Sequence, residues 1–122
     1  MKTVAVIGAS PERRKFGNKA LRAFRAAGYK AIPITPFHTE VEGEAAYPSV
    51  LDYPGSIDMA TVYVPPEIGL QVVDGLARKG IREIWFNPGA ESPALIARAR
   101  TLGVQPIEAC SILGIGMRPS DF

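Results

Sequence analysis

Residues 3–28 read TVAVIGASPERRKFGNKALRAFRAAG. Thr3 to Ile7 is a short run of β-branched and small apolar residues that stops at Gly8, the pattern of a strand buried on both faces. A polar loop from Ala9 to Gly17 follows. Asn18 is expected to cap a helix whose apolar positions Ala20, Leu21, Phe24 and Ala27 keep the helical period until Gly28 ends it. The chain therefore opens with a strand, a glycine-edged loop and a helix.

Outward from this unit the alternation repeats. Ala31-Ile32-Pro33-Ile34 is a second apolar strand, closed by Thr35-Pro36 because Pro36 cannot donate to a ladder. Phe37 to Ser56 is less regular. Its Glu42-Gly43-Glu44 turn and the segment from Tyr47 to Asp52 predict a short arm and one or two helical turns in place of a full helix. Met59 to Val64 is the third strand, and Pro66 suits the first position of a helix carrying Ile68, Val72, Val73 and Leu76 toward Gly80. Ile81 to Phe86 is the fourth strand. After the Asn87-Pro88-Gly89 turn, Ser92-Pro93 begins a helix with Leu95, Ile96, Ala99 and Leu102 that ends at Gly103. Val104 to Ile107 is a fifth strand, followed by a glycine-punctuated tail. Strands alternating with helices at this spacing predict α/β class: one Rossmann-like three-layer domain over residues 1–122, its sheet mostly parallel with five or six strands.

A chain of 122 residues can build one core and bury about two thirds of its unfolded surface. Apolar residues at 47% and charged residues at 21% describe a folded domain, and 12 Gly with 11 Pro indicate many tight turns. Fourteen Lys and Arg against twelve Asp and Glu leave a net charge of +2, too even for wrapping nucleic acid. Any affinity for anions must come from local clustering. No segment approaches the ~20 apolar residues that span a bilayer, and the amino-terminal apolar run is short for an export signal. Cys110 has no second cysteine to pair with. The expectation is a cytoplasmic protein with no disulfide, no thiolate metal cluster, and no membrane or nucleic-acid partner.

In open parallel sheets, ligands bind beyond the carboxyl ends of the strands, near the point where strand order reverses. Four loops fall at that edge: Gly8 to Asn18, Thr35-Pro36, Val64-Pro65-Pro66 and Asn87-Pro88-Gly89. The first joins a strand to a helix amino terminus, where unpaired N–H groups and the helix dipole favour an anion. Gly8 and Gly17 let the backbone approach it, and Ser10 and Asn18 add small hydrogen-bonding groups. Arg13-Arg14-Lys15 gathers three cations on a nearly neutral chain. Guanidinium forks match phosphate oxygens, so phosphate is the natural guest; a solvated basic loop is the alternative.

A dinucleotide fingerprint is absent. Ala9 and Ser10 follow Gly8, the next glycine is Gly17, and the second strand ends Ile34-Thr35-Pro36 with no carboxylate for a ribose. This weighs against NAD, while an NADP site would still recruit the arginines. Val64-Pro65-Pro66 offers a rigid apolar surface for an adenine or an aliphatic arm. Helix initiation explains Pro66 but does not require Pro65. Asn87-Pro88-Gly89 is either an amide and unhindered backbone offered to a ligand or a plain turn.

Catalytic groups are thin. His38 is the sole histidine, which excludes a multi-histidine metal site, and it reads as a surface side chain. Cys110, among small apolar residues with no adjacent base, reads as a buried inert thiol. Glu40, Glu42 and Glu44 follow no acid/base spacing and read as surface. Trp85 and Phe86 end a strand, and at least one of them reads as core. No catalytic and no metal-binding residue is assigned.

Taken in order, Gly8-Ala9-Ser10, the basic loop to Phe16-Gly17-Asn18, Ile34-Thr35-Pro36, Val62-Tyr63-Val64-Pro65-Pro66 and Trp85-Phe86-Asn87-Pro88-Gly89-Ala90 closely resemble the stand-alone CoA-binding protein family. That family is similar to the amino-terminal domain of the succinyl-CoA synthetase α subunit. The resemblance runs over nearly the whole chain, through Ala109-Cys110-Ser111. It implies a Rossmann-type domain holding coenzyme A at the carboxyl edge of its sheet. Gly8, Ser10, Gly17 and Asn18 would receive phosphates, with Arg13, Arg14 or Lys15 on the pyrophosphate or the 3′-phosphate, and Ala9 would be a further cofactor-binding residue of the same loop. Pro36, Val64, Pro65 and Pro66 would line the nucleotide and pantetheine, and Asn87 and Gly89 would close the far side. The synthetase also uses a phosphorylated histidine in a second domain, a position His38 does not match, so ligase activity is not expected to carry over.

The leading expectation is a module that binds CoA or an acyl-CoA and stores, senses or delivers it without catalysis, with a protein partner or as a homo-oligomer. An NADP-dependent oxidoreductase, or another nucleotide-using enzyme domain, is the alternative. A protein-interaction domain that has lost its ligand is the third.

Overall fold

The computed structural model describes residues 1–122. In chain order it runs β1 (Thr3–Ile7), α1 (Phe16–Ala26), β2 (Lys30–Ile34), the hairpin of β3 (Glu40–Val41) and β4 (Glu44–Ala45), and a single 3-10 turn at Val50–Asp52. It continues with β5 (Met59–Val62), α2 (Pro66–Arg78), β6 (Glu83–Phe86), α3 (Pro93–Thr101), β7 (Gln105–Glu108), α4 (Ser111–Gly114) and a last 3-10 turn at Pro119–Asp121. Five strands form one parallel sheet in the order β2-β1-β5-β6-β7.

Burial follows from that order. β1 and β5 are interior strands, and the period of two sends their side chains to both faces. Ala5 and Ile7 pack with Val73 and Leu76 of α2 and with Leu95, Ile96 and Ala99 of α3. Val4 and Val6 pack with Ala20, Leu21 and Phe24 of α1 and with Ile112 of α4. The result is three layers, α2 and α3 on one face and α1 and α4 on the other. The two proline-bearing strands, β2 with Pro33 and β7 with Pro106, stand at the two edges, where a missing donor costs no ladder bond. The outer edge of β2 is covered by the arm: Tyr47 donates its N–H to the Pro33 carbonyl, and Thr35 donates to the Tyr47 carbonyl.

Several boundaries differ from expectation for identifiable reasons. The helix α1 starts at Phe16 with Lys15 at its cap, and Asn18 lies inside it with its side chain committed elsewhere. Ile81 and Val104 are not strand residues. Each donates its N–H back to the preceding helix, Ile81 to Leu76 and Val104 to Ala99, so β6 and β7 begin later. The sheet has five strands and no sixth. The irregular segment makes the separate β3–β4 hairpin and one 3-10 turn, and the tail makes α4 and another. Ser92 caps α3 as expected, its Oγ accepting the Leu95 N–H at 3.2 Å.

Candidate functional site

β1 and β5 are neighbours in the sheet, yet the chain leaves β1 for a helix on one face and β5 for a helix on the other. That divergence opens a crevice between their carboxyl ends. A cleft of about 1220 Å³ occupies it, larger than the roughly 300–1,000 Å³ usual for small-molecule sites.

Most of the expected residues meet there. Gly8, Ala9, Ser10, Lys15 and Gly17 reach the cleft from the first loop, Pro36 from the end of β2, Val64 and Pro65 from the end of β5, and Asn87 and Gly89 from the end of β6. Gly8 needs its lack of a side chain twice over. Its φ is +88°, and a Cβ there would stand 2.9 Å from Val64 Cγ1.

Arg13, Arg14, Asn18 and Pro66 do not line the cleft. Pro66 is the first residue of α2. Arg13 forms a forked pair with Glu42, at 3.2 and 3.3 Å. Asn18 is wholly buried. Its Nδ2 donates to the Ser10 carbonyl at 2.9 Å and to Glu42 Oε2 at 3.0 Å, while its Oδ1 accepts from Arg22 Nε at 2.6 Å. The side chain thus ties the loop to the β3–β4 hairpin and has no free donor. Glu42, expected on the surface, is the hub of this cluster, and its backbone carbonyl also accepts from Arg25. The Asn18 amide, then the Arg13 guanidinium, hold its carboxyl below the ordinary value of 4.5.

What remains at the head of α1 suits an anion. The first-turn N–H groups of Phe16 and Gly17 have no acceptor within the protein, and that turn carries no acidic residue. Lys15 stands beside them, with an exposed ion pair to Glu12 at 3.2 Å. Ser10 Oγ accepts the Glu12 N–H and keeps its own proton to donate.

The opposite wall is held by Asn87, which is buried to 2% exposure. Its Nδ2 donates to Thr61 Oγ1 at 2.7 Å and to the Val62 carbonyl at 2.9 Å, and its Oδ1 accepts the Ser111 N–H at 2.9 Å. The amide therefore joins β5, β6 and α4 and frames the cleft through its position.

Several residues outside the expected set also line the cleft. Phe16 and Phe37, 53% and 83% exposed, flank the mouth with Ile68, one of the periodic apolar positions of α2. Large apolar side chains on otherwise polar loops were the available signal. Tyr63, Gln71 and Cys110 also line the cleft. Cys110 is not the buried thiol expected: it is partly exposed, because it precedes α4 at the carboxyl side of β7. His38 is exposed, as expected, but at the cleft mouth.

These features define a Rossmann-like α/β domain with a cleft at its topological switch point. The chain belongs to the CoA binding domain family, whose profile matches residues 2–115. It is 36% identical over 80 residues to acetate–CoA ligase (ADP-forming) I of Archaeoglobus fulgidus, a match covering 66% of this chain and 12% of that enzyme. A solved conserved hypothetical protein from Pyrococcus furiosus has 32% identity and a TM-score of 0.87, with 93% of this chain and 99% of that one covered. The dinucleotide-forming acetyl-coenzyme A synthetase 1 of Ca. Korarchaeum cryptofilum, in its apo form, matches with 28% identity and a TM-score of 0.77, covering 88% of this chain and 26% of that one. The chain spans 12% to 19% of the length of six curated relatives it matches. No helix is long and apolar enough to cross a membrane.

Proposed function

We propose that this domain binds CoA or an acyl-CoA in the cleft at the carboxyl edge of its sheet. It acts as a binding, carrier or sensor module with no catalysis of its own, working with a protein partner or as a homo-oligomer. The observation that carries this reading is the division of the cleft into two chemical halves. One end has the free N–H groups of Phe16 and Gly17, the Ser10 hydroxyl and Lys15, a donor set for phosphate oxygens. The other walls, with Val64, Pro65, Ile68 and Phe37, are apolar and suit a nucleobase or an aliphatic arm. Gly89, with open space where a Cβ would be, leaves the far side unhindered. Family membership supports the same ligand.

Calorimetric titration of the purified protein with CoA, acetyl-CoA and NADP, in one buffer at one salt concentration, tests it. Saturable binding of CoA or acetyl-CoA with NADP silent is the expected result. Binding of NADP with both CoA species silent would overturn the reading in favour of an oxidoreductase.

A further inference from the structure

Behind the anion-binding end of the cleft lies a cluster in which each group has a fixed polarity. A backbone carbonyl and an ionised carboxylate can only accept, and a guanidinium can only donate. The wholly buried Asn18 amide stands between such groups, with both Nδ2 protons spent on the Ser10 carbonyl and Glu42 Oε2 and its Oδ1 on Arg22 Nε. Arg22 Nη2 also donates to the Arg13 carbonyl at 2.7 Å. Two carbonyls of the first loop are thus tied to Asn18 and Arg22, neither of which lines the cleft, whereas Ser10 itself does. Carbonyl oxygens repel a phosphate, so a loop whose carbonyls are tied elsewhere is left to meet one with its donors.

Glu42 is the one member of this cluster that comes from neither the loop nor α1. It lies in the turn of the β3–β4 hairpin, and its φ of +51° is the chain's one positive value at a residue other than glycine. That backbone is strained for a glutamate, and such outliers persist where the surroundings hold them. Here four hydrogen bonds do so: the carboxylate accepts from Asn18 and, as a fork, from Arg13, and the backbone carbonyl accepts from Arg25 at 2.8 Å. The Asn18 contact is partly buried and the Arg13 fork is exposed, so Asn18 is the firmer tie.

We propose that Glu42 is a positioning residue for phosphate binding: from the hairpin it fixes the Asn18 amide, which holds the first loop by the Ser10 carbonyl and so presets its donors before a ligand arrives. The ligand group concerned is a phosphate or diphosphate ester, and the inference rests on the CoA reading above only for the identity of the whole ligand. The sign of the effect separates positioning from charge. Glu42→Ala and Glu42→Gln remove the same negative charge, and on charge alone both would strengthen the binding of an anion. Of the two, only Gln still offers Asn18 an acceptor oxygen.

The test titrates wild type and both variants with inorganic pyrophosphate and with CoA, at a temperature well below each melting point so that folded protein is compared. Glu42→Ala is expected to bind both ligands about three- to tenfold more weakly than wild type, against the direction of its charge change. Glu42→Gln is expected to bind both at least as tightly as wild type. Affinity in Glu42→Ala at or above the wild-type value would overturn the proposal, and so would equal weakening in Glu42→Gln. A second readout needs no variant: the side-chain NH2 protons of Asn18 should exchange slowly with water in the NMR spectrum of the free protein. Rapid exchange would mean that the amide is not held before ligand arrives, and the proposal would fall. The two readings fail separately. Pyrophosphate binding with the expected pattern and no CoA binding removes CoA and keeps the role of Glu42, whereas CoA binding without that pattern does the reverse. If wild type binds neither ligand, both readings fall.

Discussion

Gly17 approaches Gly8 so closely that a Cβ on Gly17 would lie 2.3 Å from the Gly8 carbonyl oxygen. The contact seats the head of α1 on the end of β1 and brings the free N–H groups into the cleft. Because the opposing atom is backbone, it cannot swing aside, and Gly17→Ala must displace the loop. Overpacking of this kind costs about 1–3 kcal/mol. Urea unfolding is expected to show that loss, and CoA titration a parallel loss of affinity, since the displaced segment holds the proposed phosphate donors.

Asn87 gives a second prediction. Its amide satisfies the Ser111 N–H, the Val62 carbonyl and Thr61 at once, all inside the protein. Asn87→Ala leaves these groups unpaired at a site too enclosed for easy hydration. A loss of roughly 2–3 kcal/mol is expected, read as a lower urea midpoint with the m-value unchanged. A midpoint within error of wild type would mean that the tie between β5, β6 and α4 is dispensable.

Glu42 gives a pH dependence with a definite sign. Its folded carboxyl lies below the ordinary 4.5 because Asn18 and then Arg13 donate to the ionised form. The stability it contributes is present above about pH 4.5 and is lost as pH falls through the lower folded value. Glu42→Ala is expected to be less stable than wild type at pH 7 by about 1–2 kcal/mol, since one buried Asn18 proton loses its acceptor. The gap between the two proteins should close as the pH is lowered below 4.5, as urea midpoints across the acid range would show. A gap independent of pH would remove the charge from the explanation.

The fold was legible wherever local chemistry and period agreed. Thr3 to Ile7, the Pro66 and Ser92-Pro93 helix starts and the glycine-ended helices all needed only neighbours in sequence. That four loops would gather at one sheet edge was legible for the same reason, as strand ends in an alternating pattern. What the sequence hid depended on long-range partners. Asn18 looks like a cap until Glu42 and Arg22 are brought to it from 24 and 4 residues away. Glu42 looks like surface because its partners lie on α1 and the loop before it. Ile68 keeps the helical period of a core residue, but α2 begins at the cleft, so its first turn faces the mouth instead of the sheet. Cys110 is set by where β7 ends, and no neighbour in sequence reports that.

The basic run offers the last prediction, because the structure divides three adjacent cations that the sequence treats alike. Lys15 lines the cleft and its pair with Glu12 is exposed, so it is free to turn toward a phosphate. Arg13 is held by Glu42, and Arg14 has neither a place in the cleft nor an ion pair. Lys15→Gln is expected to weaken CoA roughly two- to fivefold, the worth of a partly solvated charge pair, with the loss shrinking as salt is raised. Arg13→Gln should leave affinity nearly unchanged and cost stability through Glu42. Titration of both variants with CoA and dephospho-CoA then locates the charge. A loss for Lys15→Gln seen with CoA alone puts the lysine on the 3′-phosphate, and an equal loss with both puts it on the pyrophosphate. If Arg13→Gln proves the more damaging to affinity, the Glu42 pair must open when ligand arrives, and the hairpin that carries Glu42 becomes part of the binding site.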